Sequence, residues 1–169
     1  MSHEPETTRP NIPFNLMSAE EGAGLIPWQR AIEKLIAART YWICTTRPNG
    51  KPQSVPMWGL WLDDTLYFRT NPYTKTVRNL RENPCLLIHL DSGQDVVSFE
   101  GEARQVFDGP ELTRVKEHYD AKYQFPLPTP LWFALKPRVG HCYLCQDVGL
   151  EGANEYRGSA TLYRWHDAD

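Results

Sequence analysis

The stretch from Tyr41 to Leu90 limits the possible folds most, because strands, tight turns and one helix follow one another there without a gap. Apolar runs bounded by turn residues predict strands at 41–46, 55–62, 66–70 and 85–90. Arg47-Pro48-Asn49-Gly50 and Asp63-Asp64 predict the first two turns. Residues 73–82 have helical periodicity. Tight turns between neighbouring strands favour antiparallel pairing.

The rest of the chain continues this pattern. Ala31 and Leu35 belong to an apolar stripe that predicts a helix from Pro27 to about Arg39. Further strands are predicted at 96–107, 132–135, 138–145 and 161–165. Asp108, followed by Gly109-Pro110-Glu111, predicts the cap of a third helix over 110–123.

Three irregular features are also expected. Glu100-Gly101-Glu102 predicts a bulge within the strand at 96–107. Residues 125–130 are rich in proline and predict a loop, and the glycines of residues 146–158 predict another loop before the last strand.

The elements together predict a mainly β chain of the α+β class, in which six or seven mostly antiparallel strands form a small barrel with about three helices outside. Alternation is weak over residues 56–62, so we expect this strand to be covered on both faces, one cover being a subunit interface. Residues 1–24 predict a flexible arm whose Ile12, Phe14 and Leu16 could lie on a partner, and residues 25–169 a single domain.

Composition excludes several classes of function. A net charge of -3 and a pI of about 6.0 give no support to a nucleic-acid partner. No apolar run approaches the roughly 20 residues that span a bilayer. Cysteines lie mostly within predicted strands and no apolar signal core is seen near Met1, so we expect a reducing, cytoplasmic location.

The helix at 73–82 begins with residues suited to an anion. Lys75 and Thr76 lie near its start, where a hydroxyl, an ammonium group and free backbone amides can hold a phosphate. Without further context these two side chains would be read as part of a solvated helix face.

Several short motifs carry a resemblance to a known family. They are Tyr41-Trp42-Ile43-Cys44-Thr45-Thr46, Asn49-Gly50-Lys51-Pro52, Val55-Pro56-Met57-Trp58, Leu66-Tyr67-Phe68-Arg69-Thr70, Lys75, Asn79-Leu80 and Asn83-Pro84. Through them the chain resembles the FMN-binding split-barrel family, the flavin and deazaflavin oxidoreductases named after pyridoxamine 5'-phosphate oxidase. The ending Thr161-Leu162-Tyr163-Arg164-Trp165 is similar to that of the branch whose members often use coenzyme F420.

The resemblance implies a homodimeric oxidoreductase that binds FMN or coenzyme F420 at the subunit interface and transfers hydride to a small organic substrate. It implies ten cofactor-binding residues, which are Ser54, Val55, Pro56, Met57 and Trp58 along the ring, Thr70, Lys75 and Thr76 at the phosphate, and Arg164 and Trp165 near the ring or substrate. Extra cations such as Arg69, Arg78 and Arg81 would suit the acidic tail of F420. Gln53 replaces a histidine of many F420-branch relatives, and the substrate signature of the oxidase itself is not seen, so pyridoxamine phosphate oxidation is not implied.

Other readings stay open beside this one. A flavin- or haem-binding protein without turnover could use the same fold, and a haem ligand would be His89 or His141. His118 is expected at the surface. Cys142 and Cys145 lie in a strand with opposite facing side chains, so we expect neither a metal site nor a reactive dithiol.

Overall fold

The computed structural model describes residues 4–11, 24–125, 130–147 and 149–166, and its described elements form one mixed fold of strands and helices. The strands are β1 (Glu6–Thr8), β2 (Thr40–Thr46), β3 (Pro52–Leu62), β4 (Thr65–Thr70), β5 (Cys85–His89), β6 (Asp95–Val106), β7 (Leu131–Leu135), β8 (Val139–Leu144) and β9 (Thr161–Arg164). The helices are α1 (Trp28–Ala37), α2 (Lys75–Glu82), α3 (Pro110–Tyr123) and α4 (Gly149–Ser159).

Six antiparallel strands close into a barrel. Their order is β6-β5-β2-β3-β4-β7, and β7 pairs back onto β6. The first half of β6 pairs with β8 along the same edge that its second half offers to β7, and β8, β9 and β1 extend the sheet from there. The predicted α+β barrel with outer helices is therefore confirmed, although the described residues hold more strands and one more helix than expected.

Local chemistry explains most of the helix ends. Pro110 stands in the first turn of α3, where its missing N–H costs nothing, as the sequence predicted. The prediction of an Asp108 cap was wrong, because the helix starts from Gly109 and no side chain caps it. In α2 the Thr74 hydroxyl accepts a hydrogen bond from the backbone N–H of Val77.

Two packing layers hold the barrel. The main core lies inside it and beneath α1, around fully buried side chains such as Leu35, Tyr41 and Phe68. A second core lies between α3 and the outer wall made by β3, β4, β6 and β7, with Tyr119 and Trp132 at its centre. Because α3 is held against the outside of the barrel, its last turns come beside β3 and β4.

Three expectations about the chain were wrong. The predicted bulge at Gly101 is absent, because β6 pairs with β5 in continuous register from Ser98 to Glu102. On the opposite edge of β6, the neighbouring strand changes from β8 to β7 between Glu100 and Ala103. The predicted loop at 146–158 contains α4 instead. The short strand β1, which pairs with β9, was not predicted.

Strand β3 is covered on both faces only in its second half. Gly59, Leu60 and Trp61 are buried, whereas Trp58 and the alternate residues before it are exposed within the chain. Residues 12, 14 and 16, predicted to contact a partner, lie outside the described residues, as do residues 126–129 of the proline-rich loop. Among the described helices, none is long and apolar enough to cross a membrane.

Candidate functional site

A groove of about 320 Å³ lies outside the barrel, between β3, β4 and the end of α3. Its lining residues are Pro56, Met57, Trp58, Arg69, Thr70, Tyr119 and Phe125. Four residues of the predicted cofactor set, Pro56, Met57, Trp58 and Thr70, therefore meet at one place. The first three come from the exposed half of β3 and the fourth from the end of β4.

Aromatic stacking fixes the orientation of Trp58. Its ring lies parallel to that of Tyr123, with centroids 4.8 Å apart, and meets the Phe125 ring edge-on at 5.6 Å. The side chain keeps 41% of its surface exposed. One face of the indole is thus taken by α3, and what remains exposed borders the groove.

Two polar side chains anchor α3 beside this tryptophan. The Tyr123 hydroxyl accepts a hydrogen bond from the Gly59 N–H at 3.0 Å, and the backbone carbonyls of Arg39 and Gly59 both lie within hydrogen-bond distance of its single proton. The Lys122 ammonium group donates to the carbonyls of Ala38 and Gly59. Burial, with a smaller effect of Arg39, lowers the pKa of Lys122 to about 8.

Arg69 forms the opposite wall of the groove. Gly59 pairs with Phe68, so Trp58 and Arg69 are the next opposed residues and share a sheet face. The Arg69 side chain is 7% exposed, and its guanidinium lies 4.5 Å from the centre of the Tyr119 ring. It donates a hydrogen bond to the Phe125 carbonyl.

The start of α2 borders β4. The Thr70 and Thr74 hydroxyl oxygens lie 3.3 Å apart, and Lys75 is the exposed first residue of the helix. None of the ion pairs among the described residues involves Lys75. The positive end of a helix dipole and the side chain of an exposed lysine are therefore found together at this helix start.

Thr76 and Gln53 form a buried pair. Thr76 is 2% exposed, and its hydroxyl accepts a hydrogen bond from the Gln53 side-chain amide at 3.1 Å. The Gln53 amide oxygen is buried without a partner among the described residues. Gln53, which stands where many F420-branch relatives carry histidine, thus links β3 to α2.

The other predicted site residues lie around or away from this groove. Ser54 is exposed, with its hydroxyl 3.1 Å from the Cys44 sulfur, and Val55 packs against the main core. Arg164 is exposed on β9, and the Trp165 ring packs against Trp28 with centroids 4.8 Å apart. Within one chain, β8, β6, β5 and β2 separate β9 from β3.

The cysteine and histidine candidates show no reactive cluster. Burial raises the pKa of the Cys142 thiol to about 12, and Cys145 lies just beyond β8. Burial also lowers the pKa of His141. The described residues contain no group of three or more side chains arranged to hold a metal ion.

Sequence reasoning missed two residues of the groove. Tyr119 falls within the helix predicted over 110–123, and Phe125 at the start of the loop predicted over 125–130, and neither was assigned to a site. Both reach β3 and β4 through the docking of α3, a long-range contact that no local spacing encodes. Arg69 was named as a possible cation, but its burial between two aromatic rings could not be read from the sequence.

Comparison with known proteins supports the fold and the family. Structures similar to this chain include a conserved hypothetical protein from Mycobacterium tuberculosis (TM-score 0.63, 21% identity, covering 70% of this chain and 85% of the other). They also include the FAD binding protein from Mycobacterium smegmatis (TM-score 0.58, 17% identity, covering 83% and 98%). A third is HutZ, the heme storage protein from Vibrio cholerae (TM-score 0.55, 16% identity, covering 66% and 87%). At such identities the likeness shows the fold alone.

Curated protein sequences gave no match. A family model described as pyridoxamine 5'-phosphate oxidase matches residues 29–140. This segment runs from α1 into β8 and includes all six barrel strands and the whole groove. The chain therefore belongs to the pyridoxamine 5'-phosphate oxidase family.

Proposed function

We propose that the chain is an oxidoreductase that binds FMN or coenzyme F420 in the groove, transfers hydride to a small organic substrate, and works as a homodimer. One observation carries the proposal. The exposed half of β3, with Pro56 to Trp58, lies beside Thr70 and the start of α2, all within the segment matched by the family model.

The start of α2 suits the phosphate of either cofactor. The Thr70 hydroxyl, the Lys75 ammonium group and the free amides of the first helical turn would converge on it, while the Thr74 hydroxyl already caps the Val77 amide. Thr76 would contribute through its backbone, because its hydroxyl is buried against Gln53.

The exposed half of β3 suits a planar ring. Pro56, Met57 and Trp58 would lie along the ring, and the aromatic side chains of α3 would keep water away from it. Hydride transfer is chemistry that the bound cofactor supplies. Burial raises the pKa of Tyr119 to about 12, so this hydroxyl stays protonated and the chain's main tasks are to place and shield the reactants.

The charge along α2 favours a cofactor with an acidic tail. The exposed side chains of Lys75, Arg78 and Arg81 follow at intervals of three residues, and no ion pair among the described residues uses them. The chain as a whole carries -3. This concentration of positive charge supports F420, whereas FMN needs only the phosphate pocket.

A second copy of the chain would cover the exposed sheet face. Trp42 pairs with Pro56 and with His89, and Cys44 pairs with Ser54 and Leu87, so these side chains form one surface. Leu87 is 37% exposed there. Four strands separate Arg164 from β3 in the same sheet, so a partner copy would be needed to bring Arg164 and Trp165 to the groove.

The proposal is tested by titrating the purified protein with FMN and with F420 at low and moderate salt, following absorbance or fluorescence. Tight F420 binding that weakens as salt rises would support a contact between the acidic tail of F420 and the basic side chains of α2. Tight binding of FMN alone would support a flavin enzyme. Binding of neither would refute the cofactor assignment. Light scattering after size exclusion should give twice 19.5 kDa. A single-chain mass would refute the dimer.

Haem binding without turnover is the second candidate, and His89 favours it. The Nδ1 atom of His89 lies 2.7 Å from the Leu90 carbonyl, which can only accept, so Nδ1 carries the proton and the lone pair of Nε2 is free for a metal. The ring is parallel to that of Trp42 on the exposed sheet face. A Soret band on haem addition that is lost in His89→Ala would support this candidate, and an unchanged haem spectrum would refute it.

A further inference from the structure

Arg69 is a buried cation without a close carboxylate. Its side chain is 7% exposed, and the nearest carboxylate among the described residues, that of Asp120, lies 3.9 Å away and is itself 62% exposed. This distance exceeds that of a hydrogen bond. Among the described residues the guanidinium donates a hydrogen bond to the Phe125 carbonyl, and it also lies beside the Tyr119 hydroxyl, whose pKa it lowers against the larger effect of burial. Five N–H donors exceed what one carbonyl can accept.

Aromatic rings hold this guanidinium in a fixed orientation. It lies 4.5 Å from the centre of the Tyr119 ring and 5.5 Å from that of Trp132. Cation–π contact stabilises the charge without using its N–H groups, which stay in the plane of the guanidinium. Arg69 lines the groove and also a neighbouring cavity beside Lys116 and Asp120. Of the two, the groove is the one that also holds Trp58 and Phe125, and an acceptor bound there lies within reach of Arg69.

The anion that Arg69 is placed to bind differs from the one at the start of α2. Neighbouring residues of a strand point to opposite faces. Both residues line the groove, but the Thr70 hydroxyl approaches Thr74 at the start of α2, whereas Arg69 shares its face with Trp58 and Trp132. The phosphate of a cofactor has Thr70 and Lys75, so Arg69 serves another group.

We infer that the groove also receives a flat aromatic substrate that carries a carboxylate or a similar anionic group, with the anion on Arg69 and the ring beside Tyr119 and Phe125, across the groove from the strand along which the cofactor ring would lie. This inference rests on the proposed function, because the compound bound by Arg69 is a substrate only if the chain is an oxidoreductase. The aromatic side chains of Tyr119 and Phe125 in the groove wall suit a planar compound. The Arg69 guanidinium would favour an anionic compound over an uncharged one of the same shape.

The test compares two probes of the same shape, 2-naphthoate and the uncharged 2-naphthamide, by calorimetry with the wild-type protein, before and after cofactor loading. We expect the carboxylate to bind about tenfold more tightly, since hydrogen bonds to charged groups are the strong ones. Arg69→Met should remove this preference, and Arg69→Lys should keep part of it. Arg114→Met, which changes an exposed arginine of α3 paired with Asp63, is the matched control and should keep all of it.

Equal affinities of wild-type protein for the two probes would overturn the inference even if Arg69→Met failed to fold. A preference that survives in a folded Arg69→Met protein would also overturn it. The FMN and riboflavin affinities of Arg69→Met are measured in parallel with those of the wild-type protein. If Arg69→Met binds FMN more weakly but riboflavin as well as before, Arg69 contacts the phosphate. If it binds both more weakly, Arg69 contacts the ring. Either result would overturn the inference. If neither cofactor binds while the Arg69-dependent preference remains, the anion site stands and the proposed oxidoreductase function fails.

Discussion

Lys75 gives the sharpest test of the phosphate end of the groove. The change is Lys75→Met, which keeps most of the aliphatic stem and removes the charge. Lys75 is exposed at the first position of α2, so water screens it. A unit-charge pair about 4 Å apart contributes about 1 kcal/mol in water and about 4 kcal/mol near a protein surface. Exposure places Lys75 toward the lower value, and we expect FMN to bind about tenfold more weakly.

The assay is a fluorescence titration with FMN and with riboflavin, which lacks the phosphate. Riboflavin affinity should be the same for wild-type protein and Lys75→Met. The FMN loss should shrink as ionic strength rises, because exposed charges are screened. Arg81→Met, at the other end of the same helix, is the control and should leave FMN affinity within about twofold. Equal losses for FMN and riboflavin, or no loss for FMN, would refute the placement of the phosphate at α2.

Three further predictions concern stability, each measured by urea denaturation. Gly101→Ala should lower the free energy of unfolding by about 2–3 kcal/mol, because the added carbon would lie 2.3 Å from the Lys136 carbonyl oxygen. Gly93→Ala is the control, since its added carbon meets nothing within 4 Å, and it should change this free energy by no more than about 0.5 kcal/mol. Asp95 is partly buried, which raises its pKa, but two cations of α1 outweigh this and lower it. Its ion pairs therefore stabilise the fold above the ordinary pKa and lose this effect as pH falls through the lowered one. Asp95→Asn should accordingly lower the free energy of unfolding by about 1 kcal/mol at pH 7 and by progressively less as pH falls below the ordinary pKa of an aspartate. Tyr123→Phe should cost about 1–3 kcal/mol, since it leaves buried backbone groups of β3 without their partner.

The barrel could be predicted because its signals are local. Tight turns and apolar runs located the strands to within a few residues, and the proline at the start of α3 fixed that helix. The sequence misled at α4, where glycines suggested a loop. Gly152 is needed there for another reason, since a side-chain carbon would lie 2.0 Å from the Asp147 carbonyl oxygen. A glycine required by close packing and a glycine required by a turn look alike in one sequence.

The site was predictable only where one strand or one turn carries it. Pro56, Met57 and Trp58 follow one another on β3, and Thr70 precedes the start of α2, so a motif could point to them. Tyr119 belongs to a helix far along the chain, and its place against β4 depends on tertiary packing. Arg164 and Trp165 show the same limit more strongly, because within one chain four strands separate them from β3.

Helix α3 links the stability of the barrel to the shape of the groove. The side chains of its inner face form the second core with β3, β4, β6 and β7, and the same helix presents Tyr119 to Arg69 and Tyr123 to Trp58. A ligand that fills the groove must therefore contact residues whose positions depend on the docking of α3. Since binding to the native state alone stabilises that state, occupancy of the groove and docking of α3 must favour each other. The aromatic contacts that shape the groove are thus also contacts by which α3 is held to the barrel.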